Sequence, residues 1–321
     1  MPNAQPGHRF PRRRPLGRRF LAGSAAAFVA VGAALLGPAP AMAAPTPCPP
    51  AMVSTAVATT VPLLDWSENL GFDATGNLWV SRVFRNVVER YDTAGNLTAS
   101  VPVTAPGAVR LGPDGLLYVN FGNITTSTLL RTGGVVRFDP DAENPVPEVF
   151  VDRIGMANGA AFDADGYLYV TDTGGGIMRI RPDGTVDTEW TSAAPQDAGL
   201  NGIAVHDDAL YVTLLTSPTG RVLRVPIADP AQSTVVADLS PGPLMPPALP
   251  DDLVLGPAGQ LYVATATGRL VRIDPETGST CTIASTQPIT ALAVSAGQNP
   301  AVFAGTESGD VQRIQLGGEA S

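Results

Sequence analysis

The chain has 321 residues, enough for one large β domain or two ordinary ones. Its 34 Gly and 31 Pro fit many tight turns and few long helices, while 44 % hydrophobic residues supply an ample core. All 20 basic residues are Arg, which excludes a lysine Schiff base, and against 29 Asp plus Glu they leave a net charge of −9 that disfavours nucleic acid and anionic membranes.

Residues 1–43 read as an export signal rather than as part of the fold. A basic start (Arg12, Arg13, Arg14, Arg18, Arg19) leads into an apolar run from Phe20 to Leu36, and Ala41-Met42-Ala43 offers a small-residue cleavage site. Arg18-Arg19-Phe20-Leu21 resembles a twin-arginine signal but lacks the residue usually found between the pair and the Phe, so general export fits equally well. The segment holds six of the 20 Arg and no acid, which leaves 14 Arg against 29 carboxylates and a mature net charge of −15. The expected location is secreted or cell-envelope, with no membrane contact after cleavage. In that oxidising setting Cys48 and Cys281, the two cysteines, are expected to form a disulfide. Loop-closure entropy makes so long a tie worth about 5 kcal/mol.

Residues 44–321 carry a repeated phrase, an apolar strand, a Gly-containing turn and then Leu-aromatic-Val. It occurs at Leu78-Trp79-Val80, Leu117-Tyr118-Val119, Leu168-Tyr169-Val170, Leu210-Tyr211-Val212 and Leu261-Tyr262-Val263, with a weaker copy at Val302-Phe303-Ala304. Successive copies begin 39, 51, 42, 51 and 41 residues apart, the length of a four-stranded propeller blade. A third strand often ends in Arg, as in Val135-Val136-Arg137-Phe138 and Leu270-Val271-Arg272-Ile273. The alternating apolar pattern suits strands packed between sheets, and the Asp and Gly of the turns have structural work only. The sixth repeat offers three strands, Ile289–Val294, Val302–Gly305 and Val311–Leu316, whereas Ala56–Leu64 precedes the first repeat without a partner. The reading is all-β: a six-bladed β-propeller of four-stranded blades in which that N-terminal strand completes the last blade and leaves no open edge.

A propeller gathers the residues that precede its inner strands at one mouth of the central channel. Those residues are Glu68 in the first repeat, Asn158 in the third, Asn201 in the fourth and Asp251 in the fifth, with Asp252 beside it. Two carboxylates and two amides form an all-oxygen donor set suited to one divalent cation, Ca²⁺ more than Zn²⁺, because no His or Cys is at hand. Asn120, Asp172 and Thr213 end second strands at the same mouth, where they either orient water and substrate or hydrogen-bond the strand ends. Asn96-Leu97-Thr98 and Asn123-Ile124-Thr125 match glycosylation acceptors, a common chance triplet given no weight beside a bacterial-type leader.

This plan resembles the gluconolactonase/regucalcin (senescence-marker-protein) family of six-bladed propellers, across about the whole mature chain and most sharply at the Glu68 loop, the two Asn-Gly pairs and Pro250-Asp251. The resemblance implies a divalent metal held by Glu68, Asn158, Asn201 and Asp251, with Asp252, which stands where many relatives have Gly, as a further ligand or a supporting group. It also implies hydrolysis of a lactone. Sugar-lactone members place an Arg two residues before the first Asn; here that residue is Met156, and the nearby loop Pro241-Gly242-Pro243-Leu244-Met245-Pro246-Pro247 is apolar. Met156 and Met245 are thus expected to line a site for a less hydroxylated lactone or ester.

Absences sharpen the expectation. His8 lies in the export segment and His206 follows an inner strand, at the opposite end from the mouth, so neither a Ser-His-Asp triad nor a paraoxonase-like histidine mechanism is available. Asp251 or Asp252 would take the proton from an attacking water, the aspartate freer of the metal being the better base. Two other readings of the chain are a non-catalytic NHL-type binding propeller and a non-hydrolytic strictosidine-synthase-like enzyme, since fold does not settle function. The expected partner is a small-molecule lactone or ester bound to a monomer.

Overall fold

The computed structural model describes residues 48–49, 51–240 and 246–316. These fall within one compact unit, Ala44–Ser321. The export-signal expectation for 1–43 and the role expected of Met245 lie outside the described residues. No helix among the described residues is long and apolar enough to cross a membrane.

Among the described residues twenty-three strands form six antiparallel sheets. Their inner strands are Ser67–Phe72, Val109–Leu111, Ala157–Phe162, Leu200–His206, Pro250–Leu255 and Ile289–Val294 in blades 1 to 6. Each inner strand packs on the next, and blade 6 returns to blade 1, which closes the ring. The Leu-aromatic-Val phrase forms every second strand because its period of two serves both faces of a blade. Leu78 and Val80 face blade 6, in a cluster with Ala291, Ala293 and Val311. Trp79 points the other way and meets Phe138 of blade 2 at 5.4 Å between ring centres. Tyr118 does the same toward Phe162 of blade 3, at 4.9 Å. These aromatics are nearly or fully buried, and truncating one to Ala would cost about 3–5 kcal/mol.

The turn aspartates anchor the same aromatics. Asp73 accepts from Trp79 Nε1, Asp114 from the Tyr118 hydroxyl and Asp163 from the Tyr169 hydroxyl, each at 2.9 Å. Asp163 also accepts the backbone N–H groups of Asp165 and Tyr167, and Gly166 completes that turn at φ +83°, where a side chain would be strained. One Asp per turn thus satisfies both a tight bend and a buried phenol or indole.

Blade 6 is completed from the N-terminus, as the sequence implied, but by Met52–Val57 rather than Ala56–Leu64. Residues beyond Val57 leave the sheet because carboxylates take their donors, beginning with the Thr59 N–H, which donates to Asp310 Oδ1 at 2.8 Å. Asp65 accepts from the Thr60 and Val61 backbone, both at 2.7 Å, and from the Thr59 and Thr60 hydroxyls, while Pro62 has no N–H to give. Arg82, 2 % exposed, fastens the same corner. It donates to the carbonyls of Asp65 (2.5 Å) and Gly309 (2.7 Å), to Ser67 Oγ (2.6 Å) and to buried Glu89 (2.8 Å). The Cys48–Cys281 disulfide ties the segment before the closing strand to the outer strand of blade 5, Thr280–Ser285.

Blade 3 departs from the four-stranded plan. Ile177–Ile180 is its last full strand, followed by a single bridge from Ile180 to Val186 and a short helix, Thr188–Ala193. Trp190 of that helix packs on Tyr169 at 5.2 Å and donates to the Ile227 carbonyl at 2.7 Å, so one buried indole replaces the covering strand.

Candidate functional site

Glu68, Asn158, Asn201 and Asp251 open their inner strands at one mouth and line a single cavity of about 350 Å³. Asn158 and Asn201 are 5 % and 3 % exposed, so their amides are presented to the cavity and not to bulk solvent. A belt of polar links between blades holds these residues in phase. Asn120 Nδ2 donates to the Asn158 carbonyl at 2.9 Å, Thr171 Oγ1 to the Asn201 carbonyl and Thr213 Oγ1 to the Asp251 carbonyl. Ser81 and Thr290 repeat the link to Gly107 and Ser67, each at 2.6 Å. Each link runs from one blade to the backbone of the next, so blade packing fixes the donor positions.

That belt settles the geometry of three expected substrate contacts. Asn120 and Thr213 face the neighbouring backbone and do not line the cavity. Asp172 accepts from the N–H groups of Gly155, Met156 and Gly174 and so shapes the loop that carries Met156. Apart from Asn120 Oδ1, which has no hydrogen-bond partner, their polar atoms serve the strand ends and adjoining loops. Met156 does line the cavity, on an apolar wall with Trp66, Val83, Phe84, Ile124 and Leu215.

Asp252 is also placed differently from expectation. It follows Asp251 in a β-bulge between Pro250 and Leu253 and is 1 % exposed, turned away from the cavity that Asp251 lines. It accepts from the N–H groups of Leu253 (2.8 Å) and Leu292 (2.9 Å) and from Asn69 Nδ2 (3.3 Å), with Arg110 at 3.9 Å. Its oxygens are committed to joining blades 1, 2, 5 and 6. Asp252 is therefore held away from the cavity, and of the two aspartates only Asp251 lines it.

Sequence reasoning missed Asn123 and Trp66. Asn123 is 4 % exposed and donates from Nδ2 to Glu68 Oε1 at 2.5 Å, while its Oδ1 accepts from Asn158 Nδ2 at 3.3 Å. Trp66 Nε1 donates to Glu68 Oε2 at 2.7 Å, and its ring stands edge-on to Phe84. A buried Asn123 amide is not a glycosylation acceptor. The available signal was its place just past the end of a second strand, where the chain is again at the mouth.

The electrostatics point to missing positive charge. Burial, reinforced by the charges of Asp252 and Glu307, pushes the Glu68 carboxyl up to about 7 despite the Trp66 and Asn123 hydrogen bonds. Burial, then the charges of Glu68, Asp252 and Glu307, push Asp251 well above the usual carboxylate range, with the Asn201 side chain pulling the other way. Among the described residues neither Glu68 nor Asp251 has an ion-pair partner, since Arg110 is engaged with Asp252. Two half-buried carboxylates and two buried amides converging without a counter-charge fit a hard divalent cation. No cluster of three or more His, Cys, Asp and Glu occurs among the described residues, as follows when two of four donors are amides. His206 lies at the far end of its strand, beside the turn of Gly259, away from the cavity.

A family model described as "Repeat of unknown function (DUF6923)" matches residues 153–321. No curated protein matches the chain. Solved structures do. A protein provisionally named a gluconolactonase superposes with a TM-score of 0.64 at 17 % identity, over 83 % of this chain and 92 % of that one. The calcium-binding protein regucalcin from Agrobacterium tumefaciens superposes with 0.61 at 16 % identity, over 84 % and 94 %. An auxiliary nutrient binding protein from Bacteroides ovatus gives 0.64 at 15 %, over 83 % and 76 %. At these identities the likeness is one of fold: the six-bladed propeller of the gluconolactonase and regucalcin type, which also carries other functions.

Proposed function

The chain belongs to that repeat family, whose description assigns no activity, and we propose from the site itself that it is an exported hydrolase opening a lactone or related ester. One observation carries the reading. A single cavity sets a polar pole of Glu68, Asn123, Asn158, Asn201 and Asp251 against an apolar wall of Trp66, Val83, Phe84, Ile124, Met156 and Leu215.

Glu68, Asn158, Asn201 and Asp251 would hold one divalent cation, calcium in preference to zinc. Bound there, it would polarise an ester carbonyl and lower the cost of forming hydroxide at neutral pH. The side chains supply the rest. Because the Asp252 oxygens are engaged between blades, Asp251 is the remaining aspartate at the cavity: one of its oxygens would hold the cation and the other is assigned as the acceptor of the proton from attacking water. The polar pole of the cavity receives the carbonyl end of the substrate. The apolar wall holds its hydrocarbon part and excludes bulk water, which favours a substrate with few hydroxyls over a sugar acid lactone. The Cys48–Cys281 disulfide supports an oxidising, exported setting. The acidic composition supports a small-molecule partner rather than nucleic acid or an anionic membrane, and we assign a monomer.

The test is hydrolysis of a panel of alkyl-substituted lactones and of gluconolactone, with calcium or with a chelator, on wild type and Glu68→Ala. Alkyl lactones are expected to be opened by wild type with calcium, and by neither the chelated enzyme nor the variant. Equal turnover by the variant would overturn the assignment. Cation binding without turnover of any ester would instead indicate a binding propeller or a condensing enzyme.

A further inference from the structure

We propose that Asn123 is the positioning residue of the cation site, the contribution of blade 2 to a set otherwise drawn from blades 1, 3, 4 and 5. The inference rests on the proposed cation site and adds a residue that the inner-strand pattern does not contain.

The local backbone delivers this side chain deliberately. Phe121 ends the second strand of blade 2, and Gly122 then takes φ +76°. A Cβ at Gly122 would meet Gly133 Cα at 2.6 Å, so no other residue turns the chain there without displacing the third strand. Gly122 and Asn123 donate their N–H groups to the carbonyls of Thr104 and Ala105, both at 2.9 Å, which pins the turn to the loop leading into blade 2. Asn123 therefore enters the mouth from a fixed main chain, and the short helix Thr125–Leu130 follows directly.

Its amide has a defined sense. Nδ2 gives its proton to Glu68 Oε1 and Oδ1 receives one from Asn158 Nδ2. The second contact fixes Asn158 as well. Its nitrogen is turned toward Asn123, which leaves its oxygen, the ligating atom, free to face elsewhere. One amide thus orients the carboxylate of blade 1 and the amide of blade 3. With Trp66 on Glu68 Oε2, each Glu68 oxygen has a donor that holds it in place and a lone pair to spare. Such supporting contacts around metal ligands are worth about 10–100-fold in metal affinity.

The experiment is a calcium titration of the purified protein followed by Trp66 emission, assigned with Trp66→Phe, for wild type, Asn123→Ala, Asn123→Leu and Asn123→Gln. Thermal unfolding of each without calcium separates binding from folding. Both Ala and Leu variants are expected to bind calcium 10–100-fold more weakly with metal-free melting close to wild type. Asn123→Gln, which keeps a donor and an acceptor, is expected to recover part of the loss. Wild-type affinity in the Ala and Leu variants, or a Gln variant as weak as Ala, overturns the role of Asn123 and leaves the site intact. A wild type that binds no calcium overturns the cation site and this inference with it.

Discussion

Replacing Glu68 by Gln should reverse the usual cost of mutating a hydrogen-bonded, half-buried polar residue, in a pH-dependent way. The Glu68 carboxyl is raised from 4.5 to about 7, chiefly by burial. An acid raised in the folded state loses its proton first in the unfolded chain, so its contribution to stability falls as pH rises from about 4.5 and is fully lost above about 7. The separation of the two values corresponds to about 3 kcal/mol. Gln keeps the shape and carries no charge, and whatever it loses in accepting from Trp66 and Asn123 is lost at both pH values. The stability of Glu68→Gln relative to wild type should therefore rise by about 3 kcal/mol between pH 5 and pH 8 in the presence of a chelator. Urea unfolding at the two pH values measures it, and in thermal melts the change amounts to roughly 6–12 °C. Calcium at pH 8 should then stabilise wild type and not the variant. An equal gap between the two proteins at both pH values would refute the claim that Glu68 is a desolvated carboxylate awaiting a counter-charge.

Other substitutions separate structural from functional residues. Arg82→Met strands Glu89 and removes the links to Asp65, Ser67 and Gly309, so the urea midpoint should fall by the equivalent of about 3–5 kcal/mol; a loss under about 1 kcal/mol would contradict its role in closing the ring. Cys281→Ser should lower stability by up to about 5 kcal/mol while leaving calcium affinity unchanged, because the bond lies on the outer strand of blade 5. Asp252→Asn should lower the melting temperature and keep the calcium stoichiometry. If that variant instead lost calcium while melting like wild type, Asp252 would be a ligand.

The ring was legible because its blades repeat one alternating phrase, and alternation is what a strand buried on both faces imposes. That Glu68, Asn158, Asn201 and Asp251 meet in one cavity was legible because they share one phase, at the start of an inner strand. What escaped lies off that phase. Asn123 comes from an excursion in blade 2 that no other blade repeats, and Gly122 alone marks the turn. Asp252 was assigned as a ligand or base on proximity in sequence, although in the bulge between Pro250 and Leu253 its oxygens are taken by Leu253, Leu292 and Asn69. The closing strand was placed four residues late because Ala56–Leu64 is apolar, whereas capping by Asp310 and Asp65 takes Thr59, Thr60 and Val61 out of the sheet. In blade 3 an aromatic helix stands in for a strand, and Trp190 in the sequence does not reveal which element carries it.

Isothermal titration of the chelator-treated protein with calcium tests the central claim most directly. The account predicts one equivalent bound by wild type and none by Glu68→Ala or Asp251→Ala, with each variant melting cooperatively. No calcium bound by wild type, or one equivalent still bound by both variants, would contradict it.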